Sequence, residues 1–263
     1  MQHLLLKLGR LVLLLLPLLA WPGGAAWAAD IHVMTSGGFT AAYNELVPAF
    51  ERATGHKVIT AYGASMGDAP DAIPNRLARK ERVDIVILAA PALDALISQG
   101  KVQAGSRVDL VRSLIGMVVR AGAPKPDIGS VDALRRTLLD ARSIAYSASA
   151  SGVYVSTELF QRLGISAQVA GKSTKILSER VAAVVARGDA ELGFQQVSEL
   201  LPVPGIDYVG PLPDEVQRVT VFSAGIATDA AEQDAARALI RFFTTATAAP
   251  VIRKTGLEPI TPR

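Results

Sequence analysis

The sequence predicts an α/β protein of two lobes, each a mostly parallel sheet flanked by helices, on three observations. Strand patterns and helix patterns alternate along nearly the whole chain, as they do in βα units. Two long strand patterns, Leu110–Arg120 and Gln217–Ile226, bracket a middle segment, and the chain continues beyond the second. The 263 residues are half apolar and include no cysteine, so apolar cores must supply the stability without disulfides. We therefore expect two lobes joined by a pair of crossover strands.

The first predicted unit begins with a strand, a turn and a helix. Residues 31–35 form an apolar run, and the turn-forming residues Ser36, Gly37 and Gly38 follow it. From Phe39 onward, apolar residues recur at helical spacing until Gly55, which is a typical C-cap. The rest of this unit is predicted as a strand at 57–62, a helix at 71–80, a strand at 83–88, a helix at 92–99 and the first crossover strand.

A loop rich in proline and glycine at 121–128 marks the start of the second unit. Its predicted elements are helices at 131–141, 153–163 and 178–187 and strands at 143–146, 191–194 and 207–209. After the second crossover strand, helices are predicted at 231–244 and 248–254. The predicted boundaries place residues 29–115 and 220–263 in lobe 1 and residues 116–219 in lobe 2.

The N-terminus has the three parts of a secretory signal peptide, predicted over residues 1–28. Lys7 and Arg10 precede an apolar run at 11–20, and the small residues at 25–29 offer a cleavage site. Removal of this segment leaves basic and acidic residues nearly balanced. Without a cysteine to carry a lipid anchor, the mature protein is expected to diffuse freely in a bacterial periplasm.

Several functional classes lack the residues that they require. Gly63–Gly67 matches G-x-S-x-G, but the histidine of such a hydrolase follows its serine, whereas His32 and His56 both precede Ser65. Phosphate-loop, dinucleotide and zinc motifs are absent from the sequence. Basic runs interleaved with aromatic residues are absent too, so nucleic acid is not an expected partner. We therefore expect a protein that is not an enzyme and that carries no cofactor and no free metal cation.

Three turns rich in hydroxyl groups and glycine follow predicted strands. Such a turn opens a helix with unpaired backbone N–H groups, and the helix dipole adds partial positive charge at the same place. In open α/β sheets, ligands gather at the carboxyl ends of the strands. The turns therefore predict a cleft for a small anionic ligand, and they comprise Ser36-Gly37-Gly38, Gly63-Ala64-Ser65 and Ser149-Ala150-Ser151-Gly152.

Six segments of the chain, in order, resemble the periplasmic molybdate-binding proteins of ABC importers. They are VMTSGGFTAAYNELVPAFERATGHKV, AYGAS, RVDIVILAAPALDALISQGKV, SGVYVSTELFQRLGI, VAAVVARGDAELGFQQVSEL and ARALIRFFTTATAAPVIRKTGLEPI. The resemblance covers essentially the whole mature chain. It implies a two-lobed type II periplasmic-binding-protein fold that closes around a small ligand, with a hinge of two strands.

The resemblance also implies where the ligand binds. In that family, two serines, two helix starts and a tyrosine hydroxyl hold a tetrahedral oxyanion. The first serine falls on Gly38, with Ser36 two residues earlier, and the second falls on Ser65. The helix starts fall on Ser151 and Ser178, and the tyrosine falls on Gln196. The serine-to-glycine change at position 38 is expected to enlarge the pocket.

The expected function is binding of a small oxyanion, such as molybdate or tungstate, for an ABC importer. The expected partners are this ligand and a permease in the inner membrane, and the protein is expected to be a monomer. Two alternatives stay open from the sequence. The altered positions fit a small organic carboxylate, with Arg180 as a possible partner for it, and the protein could serve as a periplasmic sensor for a signalling partner. The predicted ligand-binding residues are Ser36, Gly37, Gly38, Ser65, Ser149, Ser151, Ser178 and Gln196.

Overall fold

A computed structural model describes residues 28–260, which form two sheets with helices packed against them. The predicted signal peptide lies outside these residues except for Ala28. No helix within residues 28–260 is long and apolar enough to cross a membrane. The predicted α/β architecture is confirmed.

The first sheet has six strands in the order β11-β4-β10-β3-β1-β2, and the second has five in the order β7-β6-β8-β5-β9. The strand pairs β1–β2, β1–β3, β6–β7 and β6–β8 are parallel. The sheets are mixed rather than mostly parallel, because β5 and β10 pair antiparallel with their neighbours. The strands are β1 Asp30–Thr35, β2 Lys57–Tyr62, β3 Ile85–Ala89, β4 Val108–Ser113, β5 Ile115–Arg120, β6 Ile144–Ser147, β7 Ser173–Ile176, β8 Leu192–Gln196, β9 Ile206–Pro211, β10 Thr220–Ile226 and β11 Glu258–Pro259.

The helices cover both sheets. The helices are α1 Gly37–Thr54, α2 Ile73–Ala78, α3 Ala90–Ser98, α4 Val131–Asp140, α5 Ala150–Tyr154, α6 Phe160–Arg162, α7 Ser166–Ala170, α8 Val181–Arg187, α9 Val197–Leu200, α10 Gln233–Phe243 and α11 Ala248–Lys254. A π-helical turn, Val155–Leu159, joins α5 to α6, and a 3-10 turn, Asp214–Val216, precedes β10. As predicted, α1 ends at Gly55 and the last helical residue of α8 is Arg187; the capping glycines Gly55 and Gly188 are both in the left-handed conformation, with φ of 76° and 87°.

The prediction of one long strand over 110–120 is wrong. The chain makes β4 in the six-stranded sheet, breaks at Leu114 and continues as β5 in the five-stranded sheet. Both halves are apolar and β-branched, so the pattern alone does not mark the change of sheet. The second crossover lies before β10. There the side chain of Gln217 bonds to the backbone of the first crossover: its Oε1 accepts from Ile115 N at 3.0 Å, and its Nε2 donates to Ile115 O at 3.0 Å.

Separate apolar cores hold the two sheets. One core lies around the six-stranded sheet and includes Phe39, Tyr43 and Phe50 from α1, each of which contributes roughly 1.5–3 kcal/mol by its burial. The five-stranded sheet has one core on each face, the first around Phe194 and the second around Val185. The carboxyl ends of the parallel strands of both sheets meet in the space between these cores.

Candidate functional site

A cleft of about 420 Å³ lies between the two sheets, at the carboxyl ends of β1, β2, β6, β7 and β8. Open α/β sheets bind ligands at this edge because the loops that follow the strands converge there. The walls come from α1, from the loops after β2 and β6, from the segment before α8, and from the end of β8 with α9. The lining residues are Gly37, Thr40, Asn44, Tyr62, Gly63, Ala64, Asp71, Ser147, Ala148, Ser149, Ile176, Leu177, Ser178, Glu179, Arg180, Gln195 and Glu199.

Glu199 is a buried carboxyl group in the wall of this cleft. Only 9% of its surface is exposed. Its Oε1 lies where a side chain on Gly37 would be, since a Cβ added to Gly37 would stand 1.9 Å from that oxygen. Position 37, the first residue of α1, therefore accommodates the carboxyl group because it is glycine.

Burial raises the pKa of Glu199 to about 7 from an ordinary value of 4.5, because an ionised carboxylate loses its hydration there. The positive charge of Arg180 and a hydrogen bond from Gln195 act in the opposite direction and limit the rise in this pKa. A carboxyl group with a pKa near neutrality can both accept and release a proton under physiological conditions. The cleft thus contains a group suited to acid–base chemistry.

Arg180 is the one basic residue among the cleft-lining residues that the structure describes. It takes part in no ion pair with any residue of the described range 28–260. The neighbouring Glu179, by contrast, forms an ion pair with Arg187, in which Glu179 Oε2 lies 2.7 Å from a guanidinium nitrogen. The hydrogen bonds from Arg187 lower the pKa of Glu179. The cleft lining therefore carries one cation, Arg180, and three carboxyl groups, of which Glu199 is buried next to that cation and Glu179 is paired with Arg187, while Asp71 lies on the opposite wall.

Three of the eight predicted ligand-binding residues line the cleft, and they are Gly37, Ser149 and Ser178. Ser149 follows β6 and its Oγ accepts a hydrogen bond from Ser65 N at 3.2 Å, which joins the loops of the two sheets. Ser65 itself is fully buried, and its Oγ accepts from Ala89 N at 2.9 Å. Ser65 therefore lies in the wall behind the cleft surface.

Ser36 and Gly38 also lie behind the surface, under the start of α1. Ser36 is 1% exposed, and its Oγ has no hydrogen-bond partner within the part of the chain that the structure describes. The expected enlargement of the pocket at Gly38 does not occur, because the ring of Phe222 fills that space: an added Cβ would stand 2.1 Å from Cζ of Phe222. The carbonyl of Gly38 accepts from Ser198 Oγ at 2.7 Å.

Ser151 and Gln196 face other neighbours. The hydroxyl groups of Ser151 and Ser147 are 3.1 Å apart in a buried pair. Gln196 is 1% exposed and its Nε2 donates to Thr220 Oγ1 at 3.0 Å. The adjacent Gln195, on the opposite face of β8, is the glutamine that lines the cleft.

Sequence reasoning missed Glu199 and Gln195 because it ended strand β8 at Phe194 and did not predict α9. The rule that ligands collect at strand carboxyl ends, applied to the last residues of β8 and to the helix that follows it, would have pointed to both side chains. For metals, the described residues contain no group of three or more His, Cys, Asp or Glu side chains placed to hold an ion.

Comparison with known proteins identifies the family. The model of the bacterial extracellular solute-binding proteins matches residues 31–258. A protein named aconitate isomerase, from Pseudomonas sp., is 48% identical over 255 residues, which is 97% of this chain and 96% of that protein. The molybdate-binding protein ModA of Azotobacter vinelandii is 29% identical, covering 88% of this chain and 91% of its own length. The solved periplasmic molybdate-binding protein of Azotobacter vinelandii superposes with a TM-score of 0.71 at 20% identity, over 89% of this chain and all of that one.

The first of these relatives contradicts the expectation that the chain is not an enzyme, since it is similar over almost the full length and carries the name of one. The expectation rested on the absence of a hydrolase histidine and of metal ligands. Proton transfer needs neither, because one carboxyl group of suitable pKa is enough.

The structural match shows the type II periplasmic-binding-protein fold that the sequence resemblance implies. Because the family model covers most of the described residues, the chain belongs to the bacterial extracellular solute-binding protein family, and it resembles the molybdate-binding proteins in both sequence and fold.

Proposed function

We propose that this protein binds aconitate, or a closely similar small unsaturated polycarboxylate, in the cleft and isomerises it by proton transfer. The observation that carries this proposal is the buried Glu199, whose pKa is raised to about 7 in the wall of the cleft beside Arg180. The relative named aconitate isomerase supports the choice of substrate. A tetrahedral oxyanion such as molybdate would have no use for a proton-transferring group.

The chemistry needs no cofactor. Aconitate contains a methylene carbon next to a carbon–carbon double bond, and both ends of this three-carbon unit carry carboxylates. Glu199 removes a proton from the methylene carbon, and the electron pair of the broken C–H bond delocalises over the three carbons and the carboxylates. Return of the proton to the other end of the unit forms a new C–H bond and moves the double bond. Atoms and charge balance without any co-reactant, and the two isomers interconvert.

The polar surroundings suit a substrate with several negative charges. Arg180 supplies a full positive charge, and α1 begins at the cleft, so the positive end of its dipole faces the ligand. Tyr62 donates its O–H to Asn44 Oδ1 at 2.8 Å, and the Asn44 side-chain amide nitrogen supplies a neutral donor at the rim. Positive charge close to the three-carbon unit stabilises the carbanion that forms when the proton leaves.

A second candidate function is the delivery of a small oxyanion, such as molybdate or tungstate, to an ABC permease in the inner membrane. The family and the relative named a molybdate-binding protein favour it. For both candidates we propose that the mature protein acts in the periplasm, and the predicted signal peptide and the extracellular solute-binding family support this location. The eight predicted ligand-binding residues belong to this second proposal, and only three of them, Gly37, Ser149 and Ser178, line the cleft.

The test is isomerisation of cis- and trans-aconitate by the purified mature protein, followed by proton NMR in heavy water. We expect the isomers to interconvert, and we expect Glu199→Gln to lower kcat by about 10²–10⁴-fold while ligand binding persists. Glu179→Gln is the matched control, because Glu179 lines the same cleft but pairs with Arg187. Unchanged turnover in Glu199→Gln, or no turnover in the wild-type protein, would overturn the proposal.

A further inference from the structure

The hydrogen bond between Gln195 and Glu199 distinguishes the two oxygens of the carboxyl group. We propose that Gln195 is a positioning residue that reserves Oε1 of Glu199 as a hydrogen-bond acceptor and leaves Oε2 to exchange the proton with the substrate. This inference rests on the proposed isomerase function and deepens it by assigning the reacting atom and the residue that selects it.

The orientation of the Gln195 amide is fixed by the backbone. Val181 N–H can only donate, and it lies 2.9 Å from Gln195 Oε1, so this amide atom must be the oxygen. The amide nitrogen therefore points the other way, where Nε2 donates to Glu199 Oε1 at 2.8 Å. Gln195 is 4% exposed, and both hydrogen bonds are buried. An amide held at both ends in this way has no alternative orientation.

This fixed donor decides where the proton sits. An N–H group facing Oε1 requires that oxygen to accept, so a proton on the Glu199 carboxyl group must be on Oε2. Within residues 28–260, Oε2 makes no hydrogen bond, yet it is not among the fully enclosed polar atoms that lack a partner. Oε1 also packs over Gly37 at the start of α1. The free oxygen is therefore the one available to a ligand in the cleft.

The placement follows from the strand-to-helix transition at the end of β8. Neighbouring residues of a strand point to opposite faces, so Gln195 faces the cleft while Gln196 faces Thr220. The following helix α9 then brings Glu199, four residues later, onto the Gln195 amide. A single short segment thus supplies both the proton-transferring group and the residue that orients it.

Other charged groups around Glu199 are separate from this bond. Arg180, which precedes α8, is the charge that lowers the pKa of Glu199. Asp71 and Tyr62 line the same cleft from the wall around β2, and Glu179 lies next to Arg180 in the segment before α8. Lys254 of α11 lines a neighbouring cavity with Arg180, in an ion pair with Glu45 of α1 at 3.3 Å. Gln195 also accepts from Val181 N, next to Arg180, so a variant that keeps this acceptor is needed to separate the Glu199 hydrogen bond from a displacement of Arg180.

The test compares Gln195→Leu with the wild-type mature protein by two measurements. The first is the pH dependence of kcat for aconitate, and the second is a direct infrared titration of the Glu199 carboxyl band, assigned by its loss in Glu199→Gln. A carboxylate that loses a donated hydrogen bond becomes harder to ionise. We expect both the acid limb of kcat and the titration midpoint to move upward by about one pH unit.

Two further variants keep the result decisive. Gln195→Glu preserves the acceptor for Val181 N–H. It also puts a second carboxyl group next to Glu199, and two neighbouring carboxyl groups do not readily ionise together, so the last proton shared by residues 195 and 199 leaves at a higher pH than the Glu199 proton of the wild type. Gln103→Leu is the matched control, because it removes a partly buried glutamine whose Nε2 donates to Ala227 O at 3.2 Å, outside the cleft. We expect it to leave the Glu199 titration midpoint unchanged.

The outcomes separate this inference from the function on which it rests. An upward midpoint in Gln195→Leu without aconitate turnover in the wild type would support the positioning role and overturn the isomerase. The isomerase would be supported and the positioning role overturned if the wild type turned over aconitate while the acid limb of kcat and the infrared midpoint of Glu199 stayed unchanged in Gln195→Leu and in Gln195→Glu.

Discussion

Gly37 and Glu199 share a space that holds either a side chain at position 37 or the carboxyl group, but not both. The clash partner is the end of a flexible side chain, so an alanine at position 37 moves Glu199 and leaves the backbone in place. We expect Gly37→Ala to fold normally and to lose at least about tenfold in kcat, because small misplacements of a catalytic group are costly. Circular dichroism and turnover measure the two effects.

Gly171→Ala is the matched control for this substitution. An added Cβ at Gly171 meets nothing within 4 Å, and its φ of −74° suits any residue. Its turnover should equal that of the wild type. Equal turnover in Gly37→Ala as well would show that the position of Glu199 does not matter for the reaction.

Glu199 also makes the stability of the fold depend on pH. Below its ordinary pKa of 4.5, the carboxyl group is protonated in both the folded and the unfolded state. Between 4.5 and about 7, the unfolded chain loses the proton while the folded protein keeps it, so stability falls as pH rises. Above about 7, the full cost of ionising a buried group is present, of the order of 3 kcal/mol.

Glu199→Gln removes this cost. We expect the variant to exceed the wild type in unfolding free energy at about pH 8 and to match it below about pH 4, as measured by urea unfolding across pH. Glu179→Gln should behave in the opposite sense, because its pKa is lowered by Arg187 and its ion pair stabilises the fold only when Glu179 is ionised. A difference for Glu199→Gln that stayed constant with pH would refute the raised pKa.

At the scale of elements, the two crossover segments are joined by one side chain. Gln217 bonds both backbone groups of Ile115, and its Nε2 also lies 3.3 Å from Leu212 O. We expect Gln217→Ala to lower the unfolding free energy by about 1–3 kcal/mol, because it leaves partly buried backbone groups unpaired. Urea unfolding checks this value, and Gln168→Ala, at an exposed position of α7, should change it by less than about 0.5 kcal/mol. Equal effects would show that Gln217 is not a structural link.

Elements with a clear period could be predicted from the sequence, whereas contacts between distant segments could not. The strand β2, the C-cap of α1 and the helix α11 follow from local patterns. The break at Leu114 depends on which sheet each half joins, and the four-residue helix α9 is too short for a period to show. The filling of the space at Gly38 depends on Phe222, which lies far along the chain. Glu199 could not be predicted on either ground, because it lies on the short helix α9 and its burial depends on the distant Gly37.

At the scale of the whole molecule, hydrogen bonds across the cleft join the two halves of the fold. Ser65 N donates to Ser149 Oγ at 3.2 Å on one side, and Ser198 Oγ donates to the Gly38 carbonyl at 2.7 Å on the other. Each bond contributes about 1 kcal/mol. A ligand that contacts both walls adds contacts only in the closed arrangement, so its binding favours closure of the cleft.

The identity of that ligand can be read from stability. A ligand that binds only the folded state adds about 2.7 kcal/mol to the unfolding free energy at a concentration one hundred times its Kd. We expect trans-aconitate and its saturated tricarboxylate analogue to raise the melting temperature more than molybdate, tungstate or sulfate do. Arg180→Gln should weaken tricarboxylate binding by about 10- to 100-fold, since a hydrogen bond to a charged group contributes about 1.5–3 kcal/mol.

Arg82→Gln is the matched control, because Arg82 is exposed and precedes β3, at the end of the strand away from the cleft. Its ligand response should equal that of the wild type. A shift with molybdate or tungstate alone, unaffected by Arg180→Gln, would mean that the fold binds a tetrahedral oxyanion through neutral donors and that the buried carboxyl group serves no substrate. A shift with tricarboxylates that disappears in Arg180→Gln would place the charge recognition at the same wall as the proton-transferring group. Binding and catalysis would then depend on Arg180 and Glu199. Gln195 links the elements that carry them, because it accepts from Val181 N at the start of α8 and donates to Glu199 of α9.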